Sequence, residues 1–249
     1  MTILRGHRIP LSLSRRWIGD MLHFSRGVPL VAGERVLRLK PLALARRSIP
    51  QPPTWNSLII KALGTAGLRH ACLRRSYMPY PWAHLHEANH SVASVVFDRD
   101  VFGESATVMA PMIAPELMTT RDIHQKLQNW KTNPMDSHGA LRRLVRNARY
   151  PWPVRRVLWN LGLYANGDLR ARNFGTFGVN SVAGMRGTML MFQTPITSVW
   201  YYGSVNGAGE MQMQCAFDHR VMDGVHMARA WLELEAILHD DFPKRIATV

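Results

Sequence analysis

Near the C-terminus, residues 217–224 read Phe-Asp-His-Arg-Val-Met-Asp-Gly and place a histidine between a predicted strand and a predicted helix. The strand is indicated by alternating apolar residues at Met211, Met213, Cys215 and Phe217. Asp223 is expected at the start of the helix, where an acidic side chain is favoured by capping and by the helix dipole. His219 in such a turn can act as a base near neutral pH, although a loop histidine is more often only solvated or structurally bonded. The spacing alone leaves both interpretations open.

The rest of the chain shows helical and strand patterns without an internal repeat. Helical spacing predicts helices over residues 14–25, 54–74, 119–131 and 225–239, the first of them capped by Ser14. Alternation predicts strands over residues 30–40, 90–97, 105–113, 174–180, 188–192, 197–204 and 210–217. Turns are expected at residues 98–100 and from Pro41 to Pro53, and residues 1–10 are expected to form an N-terminal arm. This order favours a mixed sheet covered by helices over a doubly wound or barrel fold.

The motif at residues 217–224 resembles the His-x-x-x-Asp-Gly signature of two related groups. These are the catalytic domain of the 2-oxoacid dehydrogenase dihydrolipoyl acyltransferases and the chloramphenicol acetyltransferases. Residues 9–21 are similar to the opening helix of the first group. Residues 175–181, Gly-Thr-Phe-Gly-Val-Asn-Ser, are similar to its Gly-Thr-Phe-Thr-Ile-Ser-Asn stretch, and residues 194–203 are similar to its Pro-Pro segment with the apolar strand that follows. The resemblance covers residues 9–240.

The resemblance implies an α/β two-layer sandwich, in which a mixed β-sheet is covered by helices, in the chloramphenicol acetyltransferase-like fold. It implies one acyltransferase domain over residues 1–249. The implied activity is transfer of an acyl group from acyl-coenzyme A, which serves as a substrate, to a thiol, hydroxyl or amine acceptor. It also implies a homotrimer, or a larger oligomer built from trimers, with each active site at a subunit interface.

Specific residues take roles from the same resemblance. His219 would deprotonate the acceptor, and Asp223, followed by Gly224, would support the site by pairing with an arginine of the first helix. Arg15 matches that arginine best, and Arg16 is the alternative.

The family stabilises the tetrahedral oxyanion with a serine hydroxyl, and this sequence departs from it there. The register puts Asn180 at the serine position and Ser181 one residue later. An amide can also donate a hydrogen bond to an oxyanion, so either residue is a candidate.

A second departure concerns the lipoyl group. No lipoyl or subunit-binding domain precedes the core in this sequence, so lipoyl groups would have to come from another protein. Acyl transfer to such a carried lipoyl group is therefore an alternative function. A catalytically inactive structural or partner-binding trimer of the same fold is another, and the Asn180 departure favours it.

The charge of the chain favours anionic partners. Lys and Arg number 31 and Asp and Glu 17, which gives a net charge of +14. Residues 132–172 form a basic amphipathic insertion in which arginines alternate with apolar residues, split by Pro151 and Pro153. Its arginines are Arg142, Arg143, Arg146, Arg149, Arg155, Arg156, Arg170 and Arg172. Three interpretations of this segment stay open, namely a solvated helical pair, peripheral membrane contact through residues 141–161, and contact with coenzyme A phosphates. Nucleic acid is disfavoured because no nucleic-acid-binding module is recognisable.

Cysteine and histidine placement indicates neither disulfides nor metal. Cys72 and Cys215 are expected as buried thiols. His84, His86 and His90 match no zinc spacing, so no metal is expected. Neither a secretory signal nor a transmembrane segment is recognisable, which predicts a cytoplasmic protein with, at most, peripheral membrane contact.

Overall fold

The computed structural model describes residues 6–181 and 193–246, and capping side chains set several helix boundaries within them. The α-helices are α1 (Leu13–Ser25), α2 (Lys40–Arg47), α3 (Trp55–Arg69), α4 (Thr120–Thr132), α5 (Gly139–Arg149), α6 (Trp152–Tyr164), α7 (Gly167–Phe174), α8 (Gly224–Ala236) and α9 (Phe242–Arg245). Thr54 and Thr119 accept backbone hydrogen bonds at the starts of α3 and α4. At α1 the cap is Ser12, not the predicted Ser14, whose hydroxyl donates to Glu104 instead.

Within the described residues, eight strands form two sheets. The strands are β1 (Leu30–Arg38), β2 (Arg75–Met78), β3 (His84–Glu87), β4 (Val92–Val101), β5 (Glu104–Ile113), β6 (Phe177–Ser181), β7 (Ser198–Val205) and β8 (Glu210–Asp218). The order in the main sheet is β1-β8-β7-β6-β4-β5, and β2 pairs with β3 in a separate hairpin. β6 runs parallel to both β4 and β7, and the other neighbours are antiparallel. The mixed sheet covered by helices confirms the predicted fold class.

The two faces of the main sheet are covered differently. On the first face, β4 contacts α3 and α4 and β1 contacts α8, with Trp200 of β7 packed edge-on against Trp231 of α8 at 4.8 Å between ring centroids. On the second face, α1 and α5 cover β5, and the Trp17 indole donates to the Thr107 carbonyl at 3.2 Å. Where β1 and β8 form the second face, Val36 and Gln212 are exposed to solvent.

Some elements differ from the prediction. α2 occupies part of the predicted turn region because Pro41 lies in its first turn, where proline's missing N–H costs nothing. The β4–β5 turn is not at residues 98–100, since both strands continue to Phe102-Gly103, where both residues adopt positive φ. The hairpin of β2 and β3 was not predicted, because four-residue strands carry little pattern. The predicted helix over 54–74 ends at Arg69 and a 3₁₀ turn follows, and the predicted strand at 188–192 lies outside the described residues.

The predicted split of the basic segment is confirmed, because α5 ends at Arg149 and α6 begins at Trp152. Among the residues described, no helix is long and apolar enough to cross a bilayer.

Candidate active site

His219 lies in the turn that joins β8 to α8. Its backbone N–H donates to the Pro29 carbonyl at 3.0 Å. Its ring Nδ1 lies 3.2 Å from the Met222 carbonyl oxygen. Because a carbonyl only accepts, Nδ1 must carry the proton, and Nε2 is left with a lone pair. In the neutral ring, this contact therefore favours the tautomer with its lone pair on Nε2, which is the tautomer that a general base requires.

Asp218 and Arg220 hold this turn from both sides of the histidine. The Asp218 carboxylate is fully buried and accepts from the Arg220 guanidinium at 2.9 and 2.7 Å and from the Arg220 backbone N–H at 3.0 Å. Hydrogen bonding to Asp218 is the main reason that the pKa of Arg220 lies above its usual value. The guanidinium also lies 4.3 Å from the ring centroid of Tyr77. The sequence analysis did not identify this ion pair between Asp218 and Arg220. The signal for it was an acidic and a basic residue directly on either side of His219 in the sequence.

Asp223 caps α8. Its Oδ1 accepts from the backbone N–H groups of Val225 at 3.0 Å and His226 at 3.2 Å, and it lies 2.8 Å from the His226 ring. The backbone hydrogen bond from His226 is the main cause that lowers the pKa of Asp223 below its usual value. Gly224 is the first residue of the helix. Asp223 thus orders the C-terminal side of the histidine turn.

Replacing Asp223 tests this capping role. Asp223→Asn keeps an oxygen that can accept the capping bonds, so activity and melting temperature should change little. Asp223→Ala should lower the melting temperature by about 2–4 °C, since the cap is lost. A lowered pKa means that the capping charge stabilises the fold above the unfolded pKa of Asp and stops doing so as the pH falls through the folded pKa. Thermal melts from pH 7 to pH 3 should show this acid-side loss in the wild type and a smaller one in Asp223→Asn. Equal melting of the wild type and Asp223→Ala would contradict the role.

The predicted pairing of Asp223 with Arg15 or Arg16 does not form within the chain. Arg15 lies 3.6 Å from Glu104, and Arg16 donates to the Leu11 carbonyl at 3.2 Å. The physical reason is the sheet order, because α1 packs on β5 at one edge and α8 contacts β1 at the other. Sequence similarity could match the helix to the family but could not show which edge it covers.

Asn180 and Ser181 point to opposite faces of the sheet, since side chains alternate along a strand. Phe177 and Val179 of β6 are in the core of the first face, so Ser181 shares that side. Ser181 is in register with Tyr202 of β7, whose hydroxyl donates to Asn56 Oδ1 at 2.5 Å. Burial raises the pKa of Tyr202. Both residues are half-buried, Ser181 beside Tyr202 on the first face and Asn180 on the second face.

A cavity of about 540 Å³ is bordered by both Asn180 and Ser181, at the end of β6. Its apolar lining includes Trp17, Ile18, Met21, Met109, Ile196 and Val199. A mostly apolar cavity with a few placed polar groups is typical of a site for a small molecule. The Asn180 amide is thus available to a ligand in this cavity.

His219 and Asn180 lie far apart within one chain. Asn180 is in register with Tyr201 of β7, and Tyr201 with Gln214 of β8, five residues before His219. At roughly 3.3 Å per residue along β8 and about 4.8 Å for each of two strand spacings, the separation is roughly 19 Å. A base and an oxyanion donor must each lie about 3 Å from one reacting group. One chain therefore does not bring the two predicted catalytic residues together.

The three histidines of the β2–β3 region have separate partners. His84 contacts the Trp82 carbonyl at 2.8 Å, His86 pairs with Asp168 at 3.0 Å, and the His90 ring lies 3.2 Å from Glu116. Within residues 6–181 and 193–246, no three His, Cys, Asp or Glu side chains are grouped so that they could hold a metal ion. Both cysteines are buried, and burial raises the pKa of each thiol.

Neither protein-family models nor curated proteins match this sequence, but solved structures match its fold. The dihydrolipoamide acetyltransferase of Azotobacter vinelandii is 16% identical with a TM-score of 0.65, over 96% of this chain and 93% of that one. The cubic core of a pyruvate dehydrogenase multienzyme complex is 15% identical with a TM-score of 0.61, over 96% and 93%. A chloramphenicol acetyltransferase is 12% identical with a TM-score of 0.50, over 92% and 98%. The chain therefore has the acyltransferase fold that these proteins share, as its sequence predicted.

The work on the Azotobacter enzyme concerns the role of a serine, a histidine and an asparagine in its catalytic mechanism, with the asparagine four residues after the histidine. His219 and Asp223 have the same spacing. At 16% identity this likeness shows the fold.

Proposed function

We propose that the protein transfers an acyl group from acyl-coenzyme A to a thiol, hydroxyl or amine acceptor, with His219 as general base. The observation that carries the proposal is the hydrogen bond from His219 Nδ1 to the Met222 carbonyl, which leaves Nε2 able to take a proton. The acyltransferase fold supports the reaction class. The net charge of +14 supports an anionic donor such as coenzyme A.

The proposed reaction has two steps. Nε2 of His219 takes the proton of the acceptor while the acceptor attacks the thioester carbonyl, and the carbonyl oxygen becomes an oxyanion. The Asn180 amide donates a hydrogen bond to that oxyanion. The tetrahedral intermediate then collapses, the carbon–sulfur bond breaks, and the departing thiolate of coenzyme A receives the proton from His219. The product is the acylated acceptor, and His219 is again neutral.

The separation of His219 from Asn180 supports a site shared between two copies. In a ring with head-to-tail contacts, the His219 end of one sheet can meet the Asn180 end of the next, and each copy contributes to two sites. The cubic core with the same fold is compatible with an oligomer built from trimers. We therefore propose a homotrimer in which each site uses His219 of one copy and Asn180 of another.

Thiol release from a panel of acyl-coenzyme A donors tests the function. Release that depends on an added acceptor, with transfer of the acyl group to it, would support the proposal, and the preferred donor would identify the acyl chain. Transfer only to dihydrolipoamide would instead favour a protein that acts on carried lipoyl groups. Neither release nor binding of coenzyme A would leave a structural trimer of the same fold.

Paired substitutions on β6 test the oxyanion residue. Asn180→Ala should lower kcat by about 10²-fold with little change in KM, because it removes a donor used in the transition state. Ser181→Ala should lower kcat by less than about threefold, since the Ser181 side chain lies beside Tyr202 on the other face of the sheet. Steady-state kinetics and a melting curve for each variant provide the measurement. A larger loss in Ser181→Ala than in Asn180→Ala, with both proteins folded, would reverse the assignment.

A further inference from the structure

Among the side chains that the structure describes, five arginines of α5 and α7 have no acidic partner. They are Arg142, Arg143, Arg146, Arg149 and Arg172, here named the arginine cluster. Of the side chains that the structure describes, no carboxylate lies within ion-pair distance of any of them. Burial, and then the positive charges of Arg172 and Arg146, lower the pKa of Arg143. The cluster is therefore a concentration of like charge that an anion would relieve.

α6 presents apolar side chains to solvent next to this cluster. Trp152, Val154, Val157 and Leu161, here named the apolar edge, are 60%, 43%, 57% and 51% exposed. Positions 154, 157 and 161 lie on one side of a helix, at spacings of three and four residues. An exposed apolar stripe of this kind on a protein surface marks an interaction site.

The apolar edge cannot turn inward, because the opposite side of α6 is fixed. Arg155 donates to the buried Asp20 carboxylate at 2.7 Å, and Trp159 and Leu163 are buried. Arg156 also lies 3.7 Å from Asp20, and its guanidinium is 5.9 Å from the Trp152 ring centroid. The structure thus holds the apolar residues outward by a buried ion pair between α1 and α6.

The two features meet where α5 is followed by α6. Arg149 is the last residue of α5, exposed Tyr150 and Pro151 follow, and Trp152 begins α6. A helical surface with Trp and aliphatic residues beside Arg is the pattern of segments that lie in the headgroup region of a bilayer. The segment is therefore amphipathic in the manner of an interfacial anchor, built into a folded domain.

We propose that the arginine cluster and the apolar edge together dock the protein onto an anionic bilayer surface. Guanidinium groups would bind lipid phosphates, and the apolar edge would enter the level of the upper acyl chains. Four exposed apolar side chains favour a bilayer over nucleic acid, since they offer nothing to a phosphate backbone. An acidic protein or a second copy of this chain would be a different partner for the same surface. The experiment below distinguishes these partners from a bilayer.

Co-sedimentation with vesicles tests the proposal. The full chain should bind vesicles that contain phosphatidylglycerol and phosphatidylcholine, bind phosphatidylcholine vesicles at least about tenfold more weakly, and lose binding as salt rises. The triple variant Arg142→Gln, Arg146→Gln, Arg149→Gln should weaken binding by about tenfold or more. The matched control Arg38→Gln, Arg47→Gln, Arg121→Gln removes the same charge from exposed positions elsewhere and should weaken binding by less than about threefold.

Trp152→Ala should also weaken vesicle binding, by about fivefold or more, whereas Trp82→Ala should not. Trp82 is the matched control because it is 82% exposed and lies in the β2–β3 connection. Equal loss in the two arginine variants would show attraction by net charge only and would overturn the proposal. So would Trp152→Ala if it changed the oligomeric state in sedimentation velocity and left vesicle binding intact, because the edge would then be a contact between copies.

Discussion

His219→Ala is expected to lower kcat for acyl transfer by about 10³-fold, with KM for acyl-coenzyme A changed by less than about threefold. The variant lacks the group that accepts the acceptor's proton, and no other side chain in the β8–α8 turn replaces it. Asp218 is bound by Arg220, and Asp223 is bound by the first turn of α8. The loss should therefore fall on the chemical step and leave donor binding intact.

Steady-state kinetics of thiol release measure this effect, and His239→Ala is the matched control. His239 is half-buried and also beside an acidic residue, Asp240, but it lies beyond α8. The control should retain activity within about twofold. Melting curves of both variants should match that of the wild type, because the His219 side chain makes one hydrogen bond at an exposed turn. Normal turnover by a folded His219→Ala protein would exclude His219 as the base.

Mixing two inactive variants should restore activity. His219→Ala and Asn180→Ala chains are unfolded together in equal amounts and refolded, so that they assemble into mixed oligomers. If each site takes His219 from one copy and Asn180 from a neighbour, about one quarter of the sites contain both residues. The mixture should then reach about a quarter of wild-type activity, which is far above either variant alone.

A site within one chain gives the opposite result, because every chain in the mixture lacks one of the two residues. The control mixture combines His219→Ala with the double variant His219→Ala, Asn180→Ala and should stay inactive in either arrangement. A wild-type sample carried through the same refolding sets the scale. No recovery in the test mixture, with wild-type refolding intact and mixed oligomers demonstrated by two affinity tags, would contradict the shared site.

The sequence predicted the elements best where local chemistry specifies them. Thr54 and Thr119 cap α3 and α4 at the first residues of the helices predicted over 54–74 and 119–131, and the strand predicted over 210–217 matches β8 almost to the residue. The turn predicted from Pro41 was wrong because proline is equally suited to a turn and to the first turn of a helix. The N-cap predicted at Ser14 was wrong because Ser12, two residues earlier, can also cap the helix and does so. Both are choices between local alternatives of similar free energy, which only packing resolves.

The site was less predictable because it depends on which strands are neighbours. The sequence located His219 and Asp223 by their spacing, and the structure places both in one turn. It could not show that α1 covers the far edge of the sheet, where Arg15 contacts Glu104 and Arg16 contacts the Leu11 carbonyl. Nor could it separate Asn180 from Ser181, since a strand's alternation has meaning only once a buried face is known.

The distance between the two ends of the sheet has a consequence for the newly made chain. Under the proposed arrangement, a newly folded monomer has the base His219 but no oxyanion donor close to it. It would be inactive toward thioesters, and acyl transfer from the donor would begin only once copies have associated. Specific activity should then fall on dilution to the concentration at which the oligomer dissociates, so that assembly itself switches the enzyme on.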